Sequence, residues 1–96
     1  MMMSNSARVH AGFRIDGRVQ GVGFRRWTAR RAGAYGLAGT VRNRADGSVE
    51  VMVVGDSDEV RCFLSELKDG PRFAKVDGIV KVPCTLPLDA SGFVIL

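Results

Sequence analysis

RVHAGFRIDGRVQGVGFRRWTARRAGAY, residues 8–35 of a 96-residue chain, changes its periodicity twice, and the fold follows from where it does so. Up to Asp16 the pattern alternates, with Val9, Ala11, Phe13 and Ile15 on one side and Arg8, His10, Gly12, Arg14 and Asp16 on the other. A period of two with one apolar side predicts a half-buried strand over 8–16. Gly17, Gly21 and Gly23 then fall within seven residues and lift the steric limits that a tight loop must escape. From Phe24 the spacing turns helical: Phe24, Trp27, Thr28, Ala32 and Tyr35 recur on one side, and Gly36 stands in the usual stop position. A strand, a glycine-rich turn and a helix over 24–35 are the result.

The rest of the chain supplies the partners. Ala38–Arg44 and Ser48–Val54 read as two strands joined through Ala45-Asp46-Gly47, whose Asp-Gly is a hairpin signal. A second helix is predicted over 57–68, with Val60, Phe63, Leu64 and Leu67 at i, i+3, i+4 and i+7, Asp56 or Ser57 as cap, and Pro71 beyond its end. Ala74–Val82 reads as a strand with Val76, Val80 and Val82 inward and a bulge near Gly78 and Ile79. A turn-rich stretch, 83–92, leads to a short strand over 93–96. The order strand, helix, strand, strand, helix, strand, with one extra terminal strand, predicts an α+β sandwich of the ferredoxin-like kind. Its antiparallel-dominated sheet carries both helices on one face. About 100 residues close a single core, so the division expected is one domain over 8–96 behind a flexible tail, residues 1–7.

Composition narrows the class of function. Hydrophobic residues make up 46% and charged residues 25%, ordinary for a globular chain, and no apolar run nears the roughly 20 residues needed to cross a bilayer. The first residues lack the apolar centre of a secretory signal, so a cytoplasmic protein with no membrane partner is expected. Cys62 and Cys84 have neither CxxC spacing nor a nearby His or Cys cluster, which predicts two buried or half-buried thiols and no metal site. The charge is uneven. Residues 1–44 hold nine arginines against Asp16 alone, a formal +8, whereas residues 45–96 carry a formal −4. An arginine-rich half suits an anion such as phosphate, whose oxygens a guanidinium fork grips in two places, although a solvated helix face would give the same count.

Gly17–Arg25 is where that anion would sit. Backbone N–H groups converging at a helix start, which carries roughly half a positive charge, form a nest for an anion, and Arg25 in the first helical turn can close it. Other phosphate chemistries do not fit. No Lys-Ser or Lys-Thr follows the loop as a P-loop needs, Arg26 stands where the third glycine of GxGxxG belongs, and Val19 stands where a cysteine phosphatase keeps its nucleophile. His10 has no Ser or Cys partner in sequence and reads as an exposed strand residue.

The chain closely resembles the acylphosphatase family, whose members carry a GxVQGVxFR loop and, one strand later, a G-x-V-x-N segment. Here these are Gly17-Arg-Val-Gln-Gly-Val-Gly-Phe-Arg25 and Gly39-Thr-Val-Arg-Asn43, followed by Asp46-Gly-Ser-Val-Glu50-Val and Gly70-Pro-Arg-Phe-Ala74-Lys-Val76. The resemblance spans about Val9 to Leu96 and implies a hydrolase that cleaves acyl phosphates to a carboxylate and inorganic phosphate. By position, Arg25 resembles the family's phosphate-binding arginine and Asn43 its water-positioning asparagine, with the backbone amides of Arg18, Val19, Gln20, Gly21 and Val22 as the substrate-binding nest. Arg44 departs from the small or neutral residue of many relatives. A carboxylate leaving group departs without protonation, so no cofactor and no metal are expected. Two rivals stand beside this reading. A single-stranded RNA module needs base-stacking aromatics on a central strand, and Ser48–Val54 has none, so no nucleic-acid partner is expected. An acylphosphatase-like domain binding a carbamoyl phosphate within a larger protein is the other. Nothing signals an oligomer, and a monomer is expected.

Overall fold

A computed structural model describes residues 7–96, so all but Ala7 of the expected tail lies outside the described residues. The elements are β1 (Arg8–Arg18), α1 (Phe24–Ala34), β2 (Ala38–Asn43), β3 (Val49–Asp56), α2 (Ser57–Asp69), β4 (Lys75–Val82) and β5 (Phe93–Ile95). They form one five-stranded sheet in the order β4-β1-β3-β2-β5. Every neighbouring pair is antiparallel except β2 and β5, which run parallel with Gly39 opposite Phe93. The alternation of β1 holds: Ala11, Phe13 and Ile15 are buried beneath the helices, with Val9 packed against the same core. Phe24, Thr28 and Ala32 of α1 and Val60, Phe63 and Leu67 of α2 complete it. This is the ferredoxin-like α+β sandwich, extended by β5.

Local chemistry sets the helix ends. Asp56 caps α2, its Oδ1 accepting from the Asp58 N–H at 3.1 Å. At the end of α1 the Leu37 N–H reaches back to Ala32 O at 2.9 Å and the Gly36 N–H to Gly33 O at 3.0 Å, the paired bonds of a Schellman stop. The two helices are tied together by Glu66. It accepts from Arg31 Nε at 2.6 Å and Nη2 at 3.0 Å, and from the Tyr35 hydroxyl. The Arg31 guanidinium, and then the Tyr35 hydroxyl, hold the Glu66 carboxyl below its ordinary pKa, against the opposing pull of burial.

Two expectations change. On β4, Asp16 faces Gly78 and Gly17 faces Val76, so Asp77 is an extra residue and the expected bulge sits there. A bulge reverses the phase of the strand beyond it. Val76 and Ile79 therefore pack on the core, while Val80 is 44% exposed. Cys62 is exposed on α2 and Cys84 half-buried, so only the second matches the predicted burial. The segment 83–92 also crosses the helix-free face of the sheet: Arg8 donates to Leu88 O and Ala90 O, and His10 Nδ1 lies 2.9 Å from Leu86 O. His10 is exposed, yet it is part of this strap rather than a bare strand residue.

Thr28 is wholly buried on α1, and among the described residues its Oγ1 has no hydrogen-bond partner. A buried hydroxyl without a partner costs about 1–3 kcal/mol, so Thr28→Val is expected to raise the unfolding free energy by about 1 kcal/mol in urea denaturation.

Candidate active site

β1 and β2 run in the same direction with β3 between them, and β5 is parallel to β2, so all three strands end at one end of the sheet. Arg18, Asn43 and Ile95 are their last residues. The loop from β1 into α1 closes over this end. Val19 is 1% exposed and plugs the loop into the core, while Gly21 (φ 74°) and Gly23 (φ 78°) turn the chain through left-handed conformations that cost other residues roughly 1–2 kcal/mol. Gly23 is the residue preceding α1 and has no side chain to cap it. From Val19 to Arg26 no backbone N–H donates to a protein acceptor among the described residues; the first to do so is Trp27, to Gly23 O at 3.0 Å. A row of unused donors at a helix start carries concentrated positive potential.

The loop borders a cavity of about 390 Å³. Val19 and Gly21 line it from the loop, Arg25 and Arg26 from α1, Asn43 from β2 and Ile95 from β5. Arg25 is half-buried and its Nη1 donates to Leu96 O at 2.8 Å, which leaves the rest of the guanidinium fork for a ligand. Asn43 is exposed, and its carboxamide has no hydrogen-bond partner among the described residues. Of the residues singled out in the sequence, Arg25, Asn43, Val19 and Gly21 are thus brought together. Arg18 sits exposed at the end of β1 opposite Lys75, and the Val22 side chain packs against the core; neither side chain lines the cavity. Arg26 and Ile95 were missed. Arg26 was legible as a second arginine beside Arg25, whereas Ile95 depends on a parallel pairing of distant strands that no local pattern announces.

Gln20 has a role of its own. Its Nε2 donates to both Arg44 O and Ser48 O, each at 2.8 Å, and so ties the glycine-rich loop to the neck of the β2–β3 hairpin. That neck is closed by Arg44 N–H to Ser48 O at 2.8 Å, and Asp46 braces it by accepting from the Ser48 hydroxyl and N–H. Those two bonds hold the Asp46 carboxyl below its ordinary pKa. The tie joins the segment bearing Arg25 to the strand bearing Asn43. Gln20→Ala is expected to cost about 1 kcal/mol in urea denaturation, and Gln20→Glu more, because a carboxylate would face two carbonyl oxygens.

Arg44 does not enter the cavity. Strand alternation sends Arg42 and Arg44 to the helix-free face, where both grip Glu50, at 2.9 Å and 3.0 Å. They flank a larger hollow of about 630 Å³ beneath the strap. There Glu50 offsets one of the two positive charges, whereas the cavity at the strand ends is lined by two arginines and, among the described residues, by no Asp or Glu. Among the described residues no three His, Cys, Asp or Glu stand together as a metal cluster, and no helix is long and apolar enough to cross a membrane.

Fold and site together define a small ferredoxin-like α+β domain with a cationic, amide-rich cavity where its parallel strands end. The family model for acylphosphatase matches residues 11–95, and the chain belongs to the acylphosphatase family, a family of hydrolases. An acylphosphatase of Nitrobacter winogradskyi is 51% identical over 69 residues, 72% of this chain and 70% of that one. The crystal structure of acylphosphatase from Bacillus subtilis superimposes with a TM-score of 0.84 at 36% identity, covering 91% of this chain and 97% of that one. The same fold recurs within a longer protein: full-length HypF, in a phosphate- and nucleotide-bound form, matches with a TM-score of 0.78 at 26% identity over 97% of this chain and 12% of that one.

Proposed function

We propose that the cavity at the strand ends hydrolyses acyl phosphates to a carboxylate and inorganic phosphate. Arg25 and the loop amides bind the phosphoryl group and Asn43 orients the attacking water. The observation that supports this reading is that Val19, Gly21 and Gly23 of a loop whose N–H groups have no protein acceptor among the described residues line one cavity together with Arg25 and Asn43. Phosphoryl transfer is governed by positioning and by stabilisation of negative charge on the transferring group, and these residues supply both.

The chemistry follows from the substrate. Water attacks phosphorus, the bond from phosphorus to the bridging oxygen breaks, and that oxygen leaves with the carboxylate. A carboxylate is a weak base and needs no general acid. The Asn43 amide oxygen accepts a hydrogen bond from the water while its NH₂ donates one, which fixes the line of attack. It is too weak a base to remove the proton, which passes to a phosphoryl oxygen.

Hydrolysis of acetyl phosphate in water enriched in heavy oxygen tests the reading. The protein is expected to accelerate phosphate release over buffer and to place the label in the phosphate. No acceleration, or label in the acetate, would overturn it.

A further inference from the structure

We infer that Arg26 forms a subsite for the acyl end of the substrate and selects acyl phosphates whose acyl group carries a second anionic group, a carboxylate or a phosphate. The inference rests on the function proposed above and concerns which members of that substrate class the cavity prefers.

Arg25 and Arg26 both line the cavity, yet they are consecutive on α1 and so stand about 100° apart around its axis. The two side chains therefore leave the helix in different directions, and the cavity has a second guanidinium besides the one that closes the loop. Arg25 is oriented by Leu96 O. Arg26 is exposed and makes no hydrogen bond or ion pair among the described residues. Other arginines are engaged within the fold: Arg14 by Asp16, Arg31 by Glu66, Arg42 and Arg44 by Glu50, and Arg8 by the carbonyls of Leu88 and Ala90. No acid lies in the first turn of α1, and among the described residues no Asp or Glu lines the cavity.

Charge balance points the same way. The phosphoryl group of an acyl phosphate brings a charge of about −2, met by Arg25 and by the half charge and amides of the helix start. Arg26 is a further positive charge lining the same cavity as the apolar Ile95. An acyl group with a neutral, apolar end leaves Arg26 without a partner, and one ending in an anion pairs with it.

The test compares two non-hydrolysable analogues, benzoylphosphonate and 4-carboxybenzoylphosphonate, binding to the wild-type protein and to Arg26→Gln and Arg26→Glu, followed by calorimetry at low and high salt. The carboxylated analogue is expected to bind the wild type about fivefold more tightly, the range of an exposed ion pair. The preference should fade with salt, vanish in Arg26→Gln and invert in Arg26→Glu. Equal affinities in the wild type, an equal loss for both analogues in Arg26→Gln, or no binding of either would overturn the inference. An equal loss would place Arg26 on the phosphoryl group instead. Failure of the hydrolytic reading shows separately, as an absence of turnover of benzoyl phosphate by a protein that still distinguishes the two phosphonates.

Discussion

Replacing Arg25 with alanine is expected to lower kcat/KM for acetyl phosphate by roughly 10³-fold or more, because loss of even one donor aimed at developing negative charge costs 10²–10³-fold. Inhibition by inorganic phosphate should disappear with it, since product and substrate share the phosphoryl end. Arg25→Lys should recover only a small part, because an ammonium ion cannot engage two phosphoryl oxygens and Leu96 O in the plane that the guanidinium does. A trivial loss of fold is separable. Arg25 is half-buried and outside the core cluster, so the variant should unfold within about 1 kcal/mol of the wild type. Retained turnover in a folded Arg25→Ala protein would remove the arginine from the reaction.

Asn43→Ala is expected to behave differently. Its turnover should fall by roughly 10²-fold, the usual consequence of a misplaced reactant, while the inhibition constant of phosphate should change by less than about threefold. The side chain is exposed and has no protein partner among the described residues, so stability should move by less than about 0.5 kcal/mol. Steady-state kinetics with phosphate as inhibitor reads both quantities. Comparable losses in turnover and in phosphate affinity would show that Asn43 binds rather than orients.

The pattern of these residues along the chain exposed much of this arrangement, for reasons that differ by element. β1, the glycine-rich loop and α1 were legible because alternation, left-handed glycines and helical spacing are all local, and each leaves its mark within a few residues. The pairing of Arg25 with Asn43 rests in sequence on the resemblance to the acylphosphatase family, and the topology accommodates it: with β3 between them, β1 and β2 end on the same side. Where a single extra residue decides the outcome, local patterns fail. Asp77 reverses the phase of β4, and the run Val76, Val80, Val82 cannot reveal that Ile79 takes the inward place.

Charge shows the same limit. The arginine excess of the first half is partly neutralised by acids of the second, Arg31 by Glu66 and Arg42 and Arg44 by Glu50, pairings across 35, 8 and 6 residues that only the folded chain discloses. What is left over is informative. Arg25 and Arg26 stand without acids on the wall that carries Asn43. Gln20, expected in sequence only for its backbone amide, has two specific side-chain partners in Arg44 O and Ser48 O, and Arg44 contributes its carbonyl to this tie.

The central claim is that the Val19–Arg26 segment and Asn43 form the phosphate site. Backbone and side-chain amide NMR during titration with inorganic phosphate tests it most directly, independently of turnover. The account predicts saturable shifts concentrated in the amides of residues 19–26, the Arg25 guanidinium and the Asn43 carboxamide, all lost in Arg25→Ala. Shifts centred on the arginines of the helix-free face, or no saturable shifts in the 19–26 amides, would contradict it.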